Sequence, residues 1–240
     1  MSIKFESGIL ALDTLLGGGI ESGLVHLFYG DRVLHDDFQR IAVKVQTSKK
    51  NGGLGTSIII IDNANIIKLE NFTRLAYEYD LEPETVMDNI FISRAFNSSQ
   101  TYDLVINQLE GFLDTVPARL LIVAGLPQLY LEEGLKNEGM KEISHMASKI
   151  STLTLRRGIF TLLSSPVSKR SSNLPEGGRT LAGAAQVHIH VSESKSRRIY
   201  TLAKHPQYPV RRTNRTRTVS SGTTLPLSYF LGGRDESKDE

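Results

Sequence analysis

Residues 24–45 read LVHLFYGDRVLHDDFQRIAVKV: an apolar run, one glycine, then apolar positions at helical spacing. The run LVHLFYG (24–30) predicts a strand. Phe38, Ile41, Ala42 and Val45 fall at i, i+3, i+4 and i+7 and predict a helix from near Asp37 to the Asn51-Gly52-Gly53 stop. Strand, short loop and helix make the setting in which a phosphate loop, G-x-x-x-x-G-K-[ST], belongs. Here the octapeptide is Gly30-Asp31-Arg32-Val33-Leu34-His35-Asp36-Asp37, and only Gly30 fits. His35 takes the place of the second glycine, Asp36 of the lysine and Asp37 of the Ser/Thr. A phosphate cradle needs bare N–H groups and positive charge, so two carboxylates reverse the sign of the site. They suit a helix start, where Asp caps N–H groups and favours the dipole. Asp36 or Asp37 is thus expected to supply, from within the chain, the negative charge a nucleotide would bring. From the loop alone two readings stay open: an altered phosphate loop, or simply a capped helix after a strand.

The same alternation runs outward along the chain. Further strands are predicted at 57–62, 89–95, 119–125 and 159–165, with helices over about 68–80, 99–114 and 137–156. The cores of the strands at 57–62 and 119–125 are apolar at every position, as strands covered on both faces are. The segments 184–192 and 197–204 predict an antiparallel pair joined by the polar turn Glu193–Ser196. The pattern is that of an α/β protein with a mostly parallel sheet and helices on both faces. The stretch SSPVSKRSSNLPEGG (164–178) reads as a mobile loop. Residues 1–217 are expected to form a single core domain, and 218–240 a polar, disordered tail.

Composition narrows the chemistry. The chain has no cysteine, which excludes disulfides, thiolate nucleophiles and Cys-ligated zinc and suits a reducing cytosol. No apolar run approaches the roughly 18–20 residues of a membrane span, and the N-terminus has no secretory h-region, so a cytoplasmic protein without membrane contact is expected. The net charge of +2 is uneven: residues 1–155 carry −7, residues 156–217 carry +11. A basic C-terminal third points to an anionic partner, DNA before others, against the bland alternative of solvated strand and loop faces. The candidate contacts are Lys169, Arg170, Arg179, Lys195, Arg197, Arg198, Arg211, Arg212, Arg215 and Arg217, provided they share a face. Aromatic residues are sparse there, which argues against base stacking. His188 and His190, two apart on a strand, could chelate a metal, but no third ligand accompanies them and they read as a polar strand face. No metal or other cofactor is expected.

A resemblance covering about residues 7–212 decides between the two readings of the loop. The opening SGILALDTLLGGGIESGLVHLFYG (7–30), the run ISRAFNSSQ (92–100) and the closing NLPEGGRTLAGAAQVHIHVSESKSRRIYTLAKHPQYP (173–209) resemble, in one order, the ATPase core of archaeal RadA and its paralogues. The resemblance implies a RecA-like fold, with the C-terminal hairpin added to a parallel sheet. It also implies which residues should carry ATP hydrolysis, and this chain departs at each. Ala124 stands where the metal-supporting aspartate ends the Walker B strand. Ala64 stands where a glutamate activates water, two residues after the retained Asp62. Ser164-Ser165 stands where a polar pair usually includes glutamine.

Loss of lysine, metal support and base together implies a protein that does not hydrolyse ATP. The reading that follows is a RadA paralogue without catalysis, accessory to homologous recombination and DNA repair. It would bind a RadA-type recombinase or a related paralogue, with DNA and a second copy of itself as further partners. The rival readings are a KaiC-like regulatory scaffold in signalling, or an unrecognised acidic chemistry around Asp36, Asp37 and Asp62.

Overall fold

The fold is described from a computed structural model covering residues 3–169 and 171–216, with Ser172 by its backbone only. The tail 218–240, Arg170 and Arg217 lie outside the described residues.

In chain order the elements begin with β1 (Lys4–Phe5), α1 (Leu10–Leu15), β2 (Ile20–Glu21), β3 (Val25–Gly30) and α2 (Leu34–Lys44). There follow β4 (Ser57–Asp62), α3 (Leu69–Glu78), α4 (Pro83–Asp88), β5 (Ile90–Ser93), α5 (Ser98–Asp103), α6 (Leu109–Thr115) and β6 (Ala118–Ala124). The chain then forms α7 (Gln128–Glu132), α8 (Asn137–Arg157), β7 (Phe160–Ser165), β8 (Val167–Ser168), β9 (Ser171–Pro175) and α9 (Gly178–Ala184). It closes with β10 (Val187–Glu193), β11 (Arg197–Lys204) and β12 (Arg211–Thr216).

Eight strands form the central sheet in the order β12-β11-β10-β3-β7-β6-β4-β5. From β10 to β5 all neighbours are parallel, while β11 and β12 add an antiparallel extension. This is the RecA-like α/β architecture expected from the resemblance.

Strand periodicity explains the two cores. On β4, Ile58 and Ile60 face one way and pack with Phe28, Phe38, Leu120 and Ile189 beneath α1, α2 and α3. Ile59 and Ile61 face the other way and join Leu27, Leu121, Ile143 and Ile150 beneath α6 and α8. A run apolar at every position is therefore covered on both sides, as its sequence predicts.

Four expectations are corrected. Helix α2 starts at Leu34, not near Asp37: Leu34 is buried in the core and a tight turn at Asp31–Val33 leads straight into the helix. Its N-cap is Val33, and no side chain caps it. The predicted helix at 99–114 is broken by a π-helical turn at Leu104–Gln108 between α5 and α6. Residues 164–178 are not one loop: β7 runs to Ser165, and β8 and β9 pair as an antiparallel ribbon. A further strand, β12, is hidden in the polar run RRTNRT, because an edge strand with one exposed face needs no apolar run.

Candidate functional site

The topology reverses direction beside β3. From β3 the chain crosses over β7 and β6 to reach β4, whereas from β7 it crosses to β10 on the other side. Ligands of open α/β sheets bind at such a switch point, beyond the carboxyl ends of the strands. Gly30, Asp62, Ala124 and Ser164 all lie at those ends.

Gly30 has a strand reason to be glycine. Its φ is +132°, and a Cβ there would lie 1.9 Å from the Val191 carbonyl oxygen of β10. The next residue is bound to the same strand: Asp31 N–H donates to Val191 O (2.9 Å), and Glu193 N–H donates to Asp31 Oδ2 (2.7 Å).

His35 and the two aspartates then point in different directions. His35 Nε2 lies 3.0 Å from Ser164 Oγ, which accepts the Gly125 N–H at 2.7 Å. A ring protonated on Nδ1 lets the Ser164 hydroxyl donate to Nε2 while it accepts from Gly125. Burial first, then Arg32, lowers the His35 pKa to about 4. Asp36 is exposed, 3.6 Å from Arg198. Asp37 is buried: Arg198 pairs with its Oδ1, and the Tyr200 hydroxyl donates to its Oδ2 at 2.9 Å. Burial pushes the Asp37 carboxyl up to about 6, outweighing Arg198 and Tyr200. Glu193, 3.5 Å from Arg198, completes the cluster. Thus Asp37 does not cap its helix; it ties α2 to β11.

Asp62 is also spent on structure. Its oxygens accept from Ile66 N–H (3.0 Å) and Ile67 N–H (3.3 Å), and Arg94 Nη2 reaches it at 3.1 Å. It shapes the turn after β4, which Gln39 of α2 holds from the other side through Ile66 O and Lys68 N–H. Ala124 is buried opposite Asp62 in the ladder, and Ala64 packs beside Gly125, so both positions present methyl groups. Among the described residues no three or more His, Asp or Glu side chains are disposed to hold a metal ion.

A groove of about 600 Å³ opens between α2, α3 and the end of the hairpin, lined by Asp36, Arg40, Lys68, Arg74, Glu78 and Arg215 among others. Arg40 and Arg74 both pair with Glu78, so much of its charge is internally compensated.

The basic residues do not share one face. In the β11–β12 ladder Arg198, Leu202 and Tyr200 lie opposite Arg215, Arg211 and Thr213, on the side of α1 and α2. Arg211 Nε donates to Leu15 O (2.8 Å), and its guanidinium lies 4.3 Å from the Tyr208 ring centre. Arg198, Arg211 and Arg215 are thereby turned away from the surface they were expected to join. Arg197 and Arg212 occupy the other face with His190, whose pKa burial lowers first and Arg212 lowers further. Lys169 on the ribbon turn, Arg179 on α9 and Lys195 in the hairpin turn are exposed. Arg170 and Arg217 fall outside the described residues.

The two histidines do share a face, as predicted, but each has another partner. His188 Nε2 lies 2.8 Å from Ala182 O, and His190 packs against Tyr29 with ring centres 5.1 Å apart.

Sequence reasoning misses the Asp37–Arg198–Tyr200 and His35–Ser164 contacts. Their partners are at least 129 positions apart, beyond any local pattern. The one signal is two adjacent carboxylates where a cation belongs, which calls for a cation from elsewhere.

Sheet order, switch point and the strand–turn–helix at Gly30 agree with a match of residues 1–218 to the family model described as Rad51. No helix among the described residues is long and apolar enough to cross a membrane. With the match spanning nearly the whole chain, this protein belongs to the Rad51 family.

Proposed function

We propose that this Rad51-family protein acts by binding and does not hydrolyse ATP: it is a non-catalytic paralogue, accessory to a RadA-type recombinase in homologous recombination and DNA repair. The observation that carries this reading is Asp37. Where the resemblance expects the metal-holding Ser/Thr stands a buried carboxylate, neutralised by the chain's own Arg198. A triphosphate approaching this helix start would meet the exposed Asp36 in place of a lysine, and N–H groups of Leu34, His35 and Asp36 already bonded to Asp31, Arg32 and Val33 carbonyls. With alanine at Ala64 and Ala124, where the resemblance expects the general base and the metal-supporting carboxylate, this reading leaves neither role a side chain.

A protein that works this way needs contact surfaces, and the edge of the sheet supplies one. Among the described residues strand β5 ends the sheet, with Phe91 44% and Ile92 39% exposed. An unpaired edge with apolar side chains suits an added strand from a partner. The exposed cations at Lys169, Arg179, Arg197 and Arg212 suit DNA phosphates.

The test is a nuclease-treated pull-down with tagged protein, paired with calorimetry against Mg-ATP. Recovery of the recombinase or its paralogues, with no ATP heat, is the expected result. Micromolar, magnesium-dependent ATP binding overturns the non-catalytic reading, and recovery of no recombination protein overturns the accessory role.

A further inference from the structure

The ribbon β8–β9 leaves the sheet at the same carboxyl edge as the candidate site, and three of its ties lead back there. Tyr29, at the end of β3, donates its hydroxyl to Asn173 O of β9 at 2.9 Å. Ser165, the last residue of β7, donates to Glu176 O at 2.6 Å, while Glu176 N–H donates to Pro166 O at 2.8 Å and closes the ribbon's base. Glu176 Oε2 then accepts the Lys169 N–H near the ribbon's turn, at 3.0 Å. One residue before Ser165, the buried Ser164 joins three segments: its Oγ meets His35 of α2 and the Gly125 N–H after β6, and its carbonyl accepts the Leu126 N–H.

We propose that His35 wires the ribbon into place from within the chain, so that the surface β8–β9 presents is preformed and needs no nucleotide to order it. His35 sits in the first turn of α2, where the resemblance expects a glycine, and from there its ring reaches the strand from which the ribbon springs. Two hydrogen bonds, His35 to Ser164 and Ser165 to Glu176, thus join the first turn of α2 to the ribbon base across one peptide link of β7. Burial keeps the ring neutral near pH 7, the state in which Nε2 accepts the Ser164 hydroxyl. The ribbon carries the exposed Lys169 and Leu174, the latter 57% exposed. A preformed surface loses less entropy on docking than one ordered by its ligand.

This inference rests on the reading that the chain works without nucleotide, and amide hydrogen exchange over residues 166–176 tests the two separately. In the wild-type protein, exchange there is expected to be slow and unchanged by Mg-ATP. His35→Ala is expected to speed it at least tenfold, while β4 and β5 stay as in the wild type. His35→Gln, whose amide oxygen can accept from Ser164, should restore most of the protection. Tyr29→Phe removes one hydroxyl at little risk to folding and should loosen β9 alone. The wiring is refuted if His35→Ala leaves ribbon exchange within twofold of wild type, while a faster β9 in Tyr29→Phe shows that the measurement reads the ribbon's ties. Protection of the α2 start by Mg-ATP would instead refute the nucleotide-free reading.

Discussion

Asp37 and Arg198 form the buried ion pair on which the local geometry turns, with the carboxylate 1% exposed and held also by Tyr200. Removing one partner strands the other charge in a low-dielectric site, which costs about 3–5 kcal/mol. Arg198→Ala is therefore expected to lower unfolding stability by about that amount, read from urea midpoints. The double change Asp37→Leu with Arg198→Met should recover most of it, since an apolar pair needs no compensation. If the single and double variants are equally unstable, the pair is not the source of the loss. Titration adds a sign that can be checked. His26 and His35 are both held near 4 by burial, below the ordinary 6.5, so the unfolded chain binds more protons between those values. Their contribution to stability is complete above pH 6.5 and is lost as pH falls toward about 4. Asp37, raised from 3.8 to about 6, works in the opposite direction: its contribution is present at low pH and is lost as pH rises through about 6. Beside His35 the charged groups are Arg32, Asp36 and Asp62. His188, His190 and His205 are lowered in the same direction and Asp13 is raised like Asp37, so five histidines against two aspartates predict a net loss between pH 6.5 and 4, and His35→Gln should make that loss shallower. An unchanged pH profile in the variant would show that His35 is not one of the groups responsible.

At the scale of elements, Gly30 is where strand pairing and the candidate site meet. The Val191↔Gly30 pairing brings the β10 backbone so close that any Cβ must move one strand. Gly30→Ala adds that clash to a φ of +132° and is expected to cost at least about 2 kcal/mol, again from urea midpoints. A loss under about 0.5 kcal/mol would mean that β10 can yield there. The neighbouring elements also show what a sequence can and cannot reveal. Strand β4 is legible to the residue because Ser57–Asp62 is apolar through its centre and buried on both faces. The residues of the candidate site are legible as departures: His35, Asp36 and Asp37 each stand where another chemistry is required. Their partners are not legible, since Ser164 and Arg198 arrive from strands far along the chain. The start of α2 is hard to place from sequence because two carboxylates resemble a cap, whereas the buried Leu34 already belongs to the helix. The ribbon resembles a loop because its serines and proline carry no periodicity; hydrogen bonds from Tyr29 and Ser165 order it instead.

Across the whole molecule the basic C-terminal third divides between the two faces of the sheet, and the division decides which cations an anionic strand can reach. One face holds Arg198, Arg211 and Arg215 against α1 and α2, where Asp37, Leu15 O and the charged groove engage them. The other holds Arg197 and Arg212, on the side from which α9 and the ribbon project with exposed Arg179 and Lys169. Phosphate contacts release counterions, so each one adds about 0.7 to the salt slope of single-strand binding. If the second face is the docking face, Arg197→Glu with Arg212→Glu should weaken binding of a labelled oligonucleotide at least tenfold. The same pair should flatten the slope by about 1.4, because two phosphates then keep their counterions. Arg215→Gln, which changes charge on the first face by removing one cation, should leave affinity within twofold. Fluorescence anisotropy across a salt series measures both quantities on folded protein. Equal weakening from the two faces would mean that the strand wraps the hairpin edge at β12. No weakening from either would place the contact on the remaining exposed cations Lys169, Arg179 and Lys195, and no binding by the wild-type protein would remove DNA from the partners of this chain.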